Sequence, residues 1–122
     1  MTEAEIIELV GLHSTNAITS FTVFISFTFA FLAATHFTGS SLTAIQSVGA
    51  TALYVAAATA AAISQALFHQ IIFRTVDSAP SPIDDLLLMN EAAWVWGMLL
   101  LEAVTVISSI FFMWSVRHRK TE

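Results

Sequence analysis

The sequence predicts an all-α polytopic membrane protein with three transmembrane helices, and three observations carry that prediction. Hydrophobic residues make up 57% of the 122-residue chain and charged residues only 11%, against roughly 25% charged in an average soluble domain. The mean hydropathy is +0.79. The apolar residues gather in three segments, about 16–37, 42–73 and 92–116, each long enough to cross ~30 Å of hydrocarbon, which takes ~20 helical residues. Inside a bilayer no water satisfies backbone groups, so segments of this length must bond within themselves as helices. The whole chain, residues 1–122, is expected to form one transmembrane domain.

The elements follow in chain order. The opening "MTEAEIIEL" offers Thr2 and Glu5 as a capping box, so a short acidic N-terminal helix is expected to lead into the first span. It lacks the basic start of a signal peptide. Between the first two spans, "THFTGSSLT" reads as a tight turn that makes them an antiparallel hairpin. Gly39 is expected there in a left-handed conformation, with Ser40 or Ser41 as N-cap. The second span, at about 1.5 Å per residue, measures roughly 48 Å and must tilt or project beyond the bilayer. The segment "RTVDSAPSPIDDLLLMNE", residues 74–91, holds both prolines and is expected as an irregular loop with one amphipathic turn around Asp84 to Met89.

Charge sets the orientation and excludes several functions. Arg117, Arg119 and Lys120 follow the third span, and only Arg74 lies elsewhere. Basic residues favour the cytoplasm, so the tail 117–122 is expected inside and the N-terminus and loop 74–91 outside, in a bacterial inner membrane. Trp94 and Trp96 would then mark the outer interface and Trp114 the inner one. A net charge of −5 with four Lys and Arg lacks the basic stripe that nucleic acid requires. The absence of cysteine removes disulfides, thiolate metal sites and thiol nucleophiles. Metalloprotease, phosphate-loop and nucleophile-elbow motifs are missing, so no enzyme activity is expected.

At about 100° per residue, polar side chains collect on one side of each span. In the first, Thr15, Thr19, Thr22 and Ser26 share a stripe opposite Phe21, Phe24, Phe27, Phe29 and Phe31. The stripe is expected to face the interior and the phenylalanines lipid or a partner. Thr28 and Thr35 break this pattern, although a threonine hydroxyl can bond back to its own helix. The second span carries the most regular stripe: Ser47, Thr51, Tyr54, Ala58, Ala61, Gln65 and His69. On it too, Ala52, Ala56, Ala60 and Ser64 recur every fourth position, the spacing that lets helices approach closely in lipid. In the third, Glu91, Met98, Glu102, Thr105 and Ser109 share a side.

These stripes converge, on paper, at mid-bilayer. Glu102 lies level with Ser26 and Ala58, and a buried polar cluster of Glu102, Ser26, Thr22, Tyr54 and Gln65 is expected, with Ala58 and Ala61 leaving room. An ionisable group at this depth costs about 3 kcal/mol or more to insert, and no Lys or Arg lies there to pair with it. The carboxyl is therefore expected to be neutral, donating a hydrogen bond that holds helix register; proton or ion movement is the alternative. Toward the outer end, His13, His69 and Glu91 form a possible ligand cluster, able in principle to hold a haem or a divalent metal. No ligand-spacing motif supports this, and no cofactor or metal is expected.

The expected function is that of a non-enzymatic small integral membrane protein, working as a homo-oligomer or as an accessory subunit of a larger membrane complex. Its partners would be the lipid bilayer and itself or other membrane subunits. Three spans with an external N-terminus and a basic tail resemble the architecture of class I phage holins. That analogy implies a pore-forming or ion- or proton-conducting oligomer as the alternative. In size the chain is also similar to the three-span anchors of succinate dehydrogenase, which implies, as a second alternative, a haem- or quinone-binding anchor subunit. The orientation is directly testable: a reporter active only in the cytoplasm should work when fused after Glu122 and fail when inserted beside Ser81. Activity at both positions would refute a two-sided arrangement.

Overall fold

The computed structural model describes residues 1–79 and 90–118. These form α1 (Glu3–Thr38), a 3-10 turn (Gly39–Ser41), α2 (Ala44–Asp77) and α3 (Glu91–Arg117). All three α-helices are long and apolar enough to cross a membrane. The Thr2 hydroxyl accepts the Glu5 N–H, and the Glu5 carboxylate accepts the Thr2 N–H at 2.6 Å, which is the capping box the opening residues encode. The expected short leading helix is not a separate element. With no proline between Glu8 and Asn16, nothing interrupts the backbone ladder, and α1 is continuous over 36 residues.

The hairpin turn differs from expectation in both of its details. Gly39 has φ −57° and is right-handed, and the chain passes through the 3-10 turn into an extended Leu42. What calls for glycine there is space, because a Cβ would stand 3.0 Å from Val116 Cγ1. The N-cap of α2 is Thr43 and neither Ser40 nor Ser41. Its hydroxyl accepts the Gln46 N–H while Gln46 Oε1 accepts the Thr43 N–H at 3.0 Å. Ser41 instead donates to the Thr38 carbonyl at 2.8 Å.

α2 ends at Asp77, one turn beyond the expected Phe73, so Arg74 is helical. Its 34 residues span roughly 51 Å, well over a bilayer's hydrocarbon thickness. α3 starts behind Asn90, whose side-chain oxygen accepts the Ala93 N–H at 2.8 Å. The expected turn around Asp84 to Met89, both prolines, Arg119 and Lys120 fall outside the described residues.

α1 and α2 run antiparallel, as shown by the paired contacts Ser20 with Ser64 and Thr28 with Tyr54. α3 closes the bundle through Ser109 on Tyr54 and Met113 on Thr35. The core consists of Phe24, Phe31, Tyr54, Ala58, Ala61 and Met113. At its centre the rings of Phe31 and Tyr54 stack at 4.3 Å with an 8° interplanar angle, a contact worth about 1 kcal/mol beyond its area.

The stripe on α2 faces inward as expected: Ser47, Tyr54, Ala58, Ala61 and Gln65 are buried, with Thr51 and His69 half-buried. On α1 the expectation is reversed. Thr15, Thr19, Thr22 and Ser26 are exposed, and the buried face is Ile6, Ala17, Phe24, Thr28, Phe31 and Thr35. Each outward hydroxyl donates to its own helix four residues back, at 2.8 to 3.0 Å, so none needs a neighbour. Phe24 and Phe31 gain close packing inside, while Phe27 and Phe29 remain outside as expected.

The close approach at Gly39 yields a stability prediction. Gly39→Leu should lower stability by about 1–3 kcal/mol through overpacking against Val116, and adding Val116→Ala should recover part of the loss. Unfolding in detergent for the single and double variants measures this. Equal stability of Gly39→Leu and the parent would show that α3 does not rest on the turn.

Candidate functional site

The interior polar groups separate into two layers. In the first, Tyr54 is central: its hydroxyl lies 3.0 Å from Thr28 Oγ1 and 3.4 Å from Ser109 Oγ. Ser109 in turn donates to the Thr105 carbonyl at 2.8 Å. This network ties all three helices together, one residue from each. Two of its members, Thr28 and Ser109, lay outside the expected cluster. Ser109 had been placed on the correct side of α3. Thr28 was legible through a different pattern, since Ala17, Phe24, Thr28, Phe31 and Thr35 recur at sevens, fours and threes, the spacing of one helix face.

The second layer holds Glu102 and Gln65, each 3% exposed. They line one crevice between α2 and α3, together with Ala62, His69, Met98 and Leu99. The crevice has no room for a water molecule. Both carboxyl oxygens of Glu102 and Oε1 of Gln65 are buried without a hydrogen-bond partner. Seven residues of α3 separate Glu102 from Ser109, about 10 Å along the axis, and the buried Ala58 and Ala61 lie on α2 between the two layers.

The five-residue cluster expected around Glu102 is therefore not assembled. Gln65 shares its crevice. Tyr54 belongs to the other layer, and Thr22 and Ser26 point outward, bonded to the carbonyls of Ile18 and Thr22 at 2.9 and 2.8 Å. Ser26 is on the helix the sequence assigned to this depth but on its opposite face. The hydrogen bond expected from Glu102 to Ser26, Tyr54 or Gln65 does not form.

His13, His69 and Glu91 also lie in separate surroundings. His13 packs its ring on Phe68 at 6.0 Å, and its Nδ1 is buried without a hydrogen-bond partner. His69 lies 5.9 Å from the Trp94 ring and its Nδ1 is 2.9 Å from the Gln65 backbone oxygen. Glu91 is exposed at the start of α3. Among the described residues no three His, Cys, Asp or Glu side chains come close enough to hold a metal ion. Of the small residues at fourfold spacing, Ser64 meets Ser20 at 3.1 Å, whereas Ala52, Ala56 and Ala60 are exposed. The alanines that pack inside the bundle are Ala58 and Ala61 instead.

The three-helix network predicts a graded response. Tyr54→Phe keeps the stack on Phe31 and removes only the bridging hydroxyl, so it should cost about 1 kcal/mol, within the range measured for interhelical hydrogen bonds in bilayers. Tyr54→Ala also opens a cavity, and should cost about 3–5 kcal/mol by analogy with other aromatic truncations. Thermal unfolding in detergent measures both. A Phe variant as damaged as the Ala variant would make the hydroxyl, and not the ring, the main tie.

Comparison of the chain with protein-family models, with curated proteins and with solved structures finds no match in any of the three.

Proposed function

We propose that this chain is a small non-enzymatic integral membrane protein of a bacterial cytoplasmic membrane, with its N-terminus outside, that works as a homo-oligomer or as an accessory subunit of a larger complex. One observation carries the proposal: α3 is only loosely covered by its own chain. It buries Glu102, Ser109 and Met113 alone, and an open groove runs along each of its flanks. The groove toward α1, about 550 Å³, is lined by Leu32, His36, Val104 and Phe112 among others. The groove toward α2, about 500 Å³, includes Ala52, Ala56, Trp114 and Arg117.

Helix association in lipid depends on fit, because lipid tails are as apolar as the helices themselves. A groove floored by Ala52 and Ala56 admits another helix closely. The alanines of the small-residue spacing, Ala52, Ala56 and Ala60, thus serve contacts outside the single chain, while Ser64 meets Ser20 within it. A second reading rests on the outward row of Thr15, Thr19, Thr22 and Ser26: in an oligomer that turned α1 inward, this row would line a pore.

One reconstitution addresses both readings. Copies carrying donor or acceptor dyes, mixed in liposomes, should show energy transfer that rises with protein-to-lipid ratio. Ala52→Leu with Ala56→Leu should reduce it several-fold while leaving helical content unchanged. Absence of transfer, together with absence of a co-purifying membrane protein from the native host membrane, would refute the subunit reading. Release of an entrapped dye by the unlabelled protein would move the weight to the pore.

A further inference from the structure

The crevice beside Glu102 holds three acceptor oxygens that no donor reaches. Glu102 Oε1 and Oε2 and Gln65 Oε1 are all buried with no partner, on side chains each 3% exposed. An ionised carboxylate can only accept, whereas a protonated one supplies an O–H. Turning the Gln65 amide over would offer one donor group to two carboxylate oxygens and still leave an acceptor unmatched. A water cannot complete the set, because the crevice does not admit one. A bare hard cation would want about six oxygens, and the side chains lining the crevice supply only these three. The occupant that fits is a proton on Glu102.

The route to that carboxyl is built into the same crevice. His69 lines it one turn of α2 beyond Gln65, is half-buried, and leans toward Trp94 near the start of α3. A carbonyl accepts only, so the 2.9 Å contact to the Gln65 backbone oxygen places the hydrogen on Nδ1 and leaves Nε2 with a free lone pair. In the opposite direction the buried Ala58 and Ala61 and the aromatic core close the space. Of the other titratable groups, Glu91 is exposed at the start of α3. Tyr54 is engaged with Thr28 and Ser109, and α1 contributes no residue to the crevice lining. His69 is thus the titratable side chain that shares the crevice with Glu102 among the described residues.

We infer that Glu102, Gln65 and His69 form a reversible proton-binding site, loaded through His69 from the end of the bundle where α2 finishes and α3 begins. The proton from water binds His69 Nε2, giving the imidazolium. The structure holds no hydrogen bond between the two side chains, so the proton crosses when side-chain rotation brings Nε2 against the Glu102 carboxylate. Glu102 then becomes the neutral acid and His69 returns to its Nδ1–H form. The Gln65 side-chain oxygen, on a residue lining the same crevice and itself without a partner, is available as acceptor for the acid. This site functions within one chain and does not depend on oligomeric state.

Dicyclohexylcarbodiimide tests it, because this apolar reagent adds the O–H of a carboxylic acid across a C=N bond and rearranges to a stable N-acylurea, whereas carboxylate does not react. The full chain is reconstituted in liposomes with orientation established by a tag after Glu122, and the pH on each side is varied separately. Labelling of the peptide containing Glu102 is read by mass spectrometry, with Glu102→Gln as the blank. Labelling should fall about tenfold for each pH unit above its midpoint when the α2–α3 end is made alkaline. It should ignore the pH at the tail end. In His69→Gln the response to the α2–α3 side should be lost or slowed at least several-fold. Labelling at the same rate at every pH would overturn the reversible site, as would the absence, at acid pH, of a protonated-carboxyl C=O infrared band that Glu102→Gln removes. That band also decides the matter if the reagent cannot enter the crevice. Control from the tail side, or an unchanged response in His69→Gln, would overturn the route.

Discussion

Helices long and apolar enough to cross a membrane meet hydrocarbon that offers no hydrogen-bond partners, and the hydroxyls of this bundle are arranged to meet that constraint. The chain answers it in two ways. Outward hydroxyls, from Thr15 to Ser26 on α1 and at Thr105 and Ser115 on α3, donate to carbonyls of their own helix one turn back. Inward hydroxyls meet each other, as Thr28, Tyr54 and Ser109 do. Glu102, Gln65, the Ser47 hydroxyl and His13 Nδ1 follow neither way. Of these, only Glu102 and Gln65 share one crevice.

Packing follows from where small residues let backbones approach. Ala58 and Ala61 keep the centre of α2 thin, so that Phe24, Phe31 and Met113 can pack around Tyr54. Gly39 lets the end of α3 rest on the hairpin turn at Val116. Above and below these contacts α3 is held less closely, and large apolar side chains such as Leu100, Ile107 and Phe111 face outward. In a membrane that is the normal place for them. The open grooves beside α3 are a different matter, because they are shaped depressions and not simply apolar surface.

The parts of the site that were legible in the sequence were those governed by one helix alone. On α2, alanines alternate with a few larger polar groups, so a single face carries Ser47, Tyr54 and Gln65, and that face is the buried one. α1 offered two competing faces, one of hydroxyls and one containing Phe24, Thr28, Phe31 and Thr35. Polarity alone favours the first. A hydroxyl that bonds its own backbone is no longer polar in effect, however, so ring packing decided for the second. The Thr43 and Gln46 capping box is equally legible in "TAIQ", just beyond the serines that the turn also offers.

By itself the sequence determined three helices long and apolar enough to cross a membrane, the Thr2 cap and the inward face of α2. Each depends on composition, local hydrogen bonding or the helical repeat, which are properties of residues within a turn or two of one another. Only the tertiary structure decided the rotation of α1, the division of the interior polar groups into two layers, and the need for glycine at position 39. Those depend on which side chains from separate helices occupy the same volume: Phe31 over Tyr54, Val116 against Gly39, and Glu102 opposite Gln65. A helical repeat states which residues share a face. It does not state which of two faces finds the better partner.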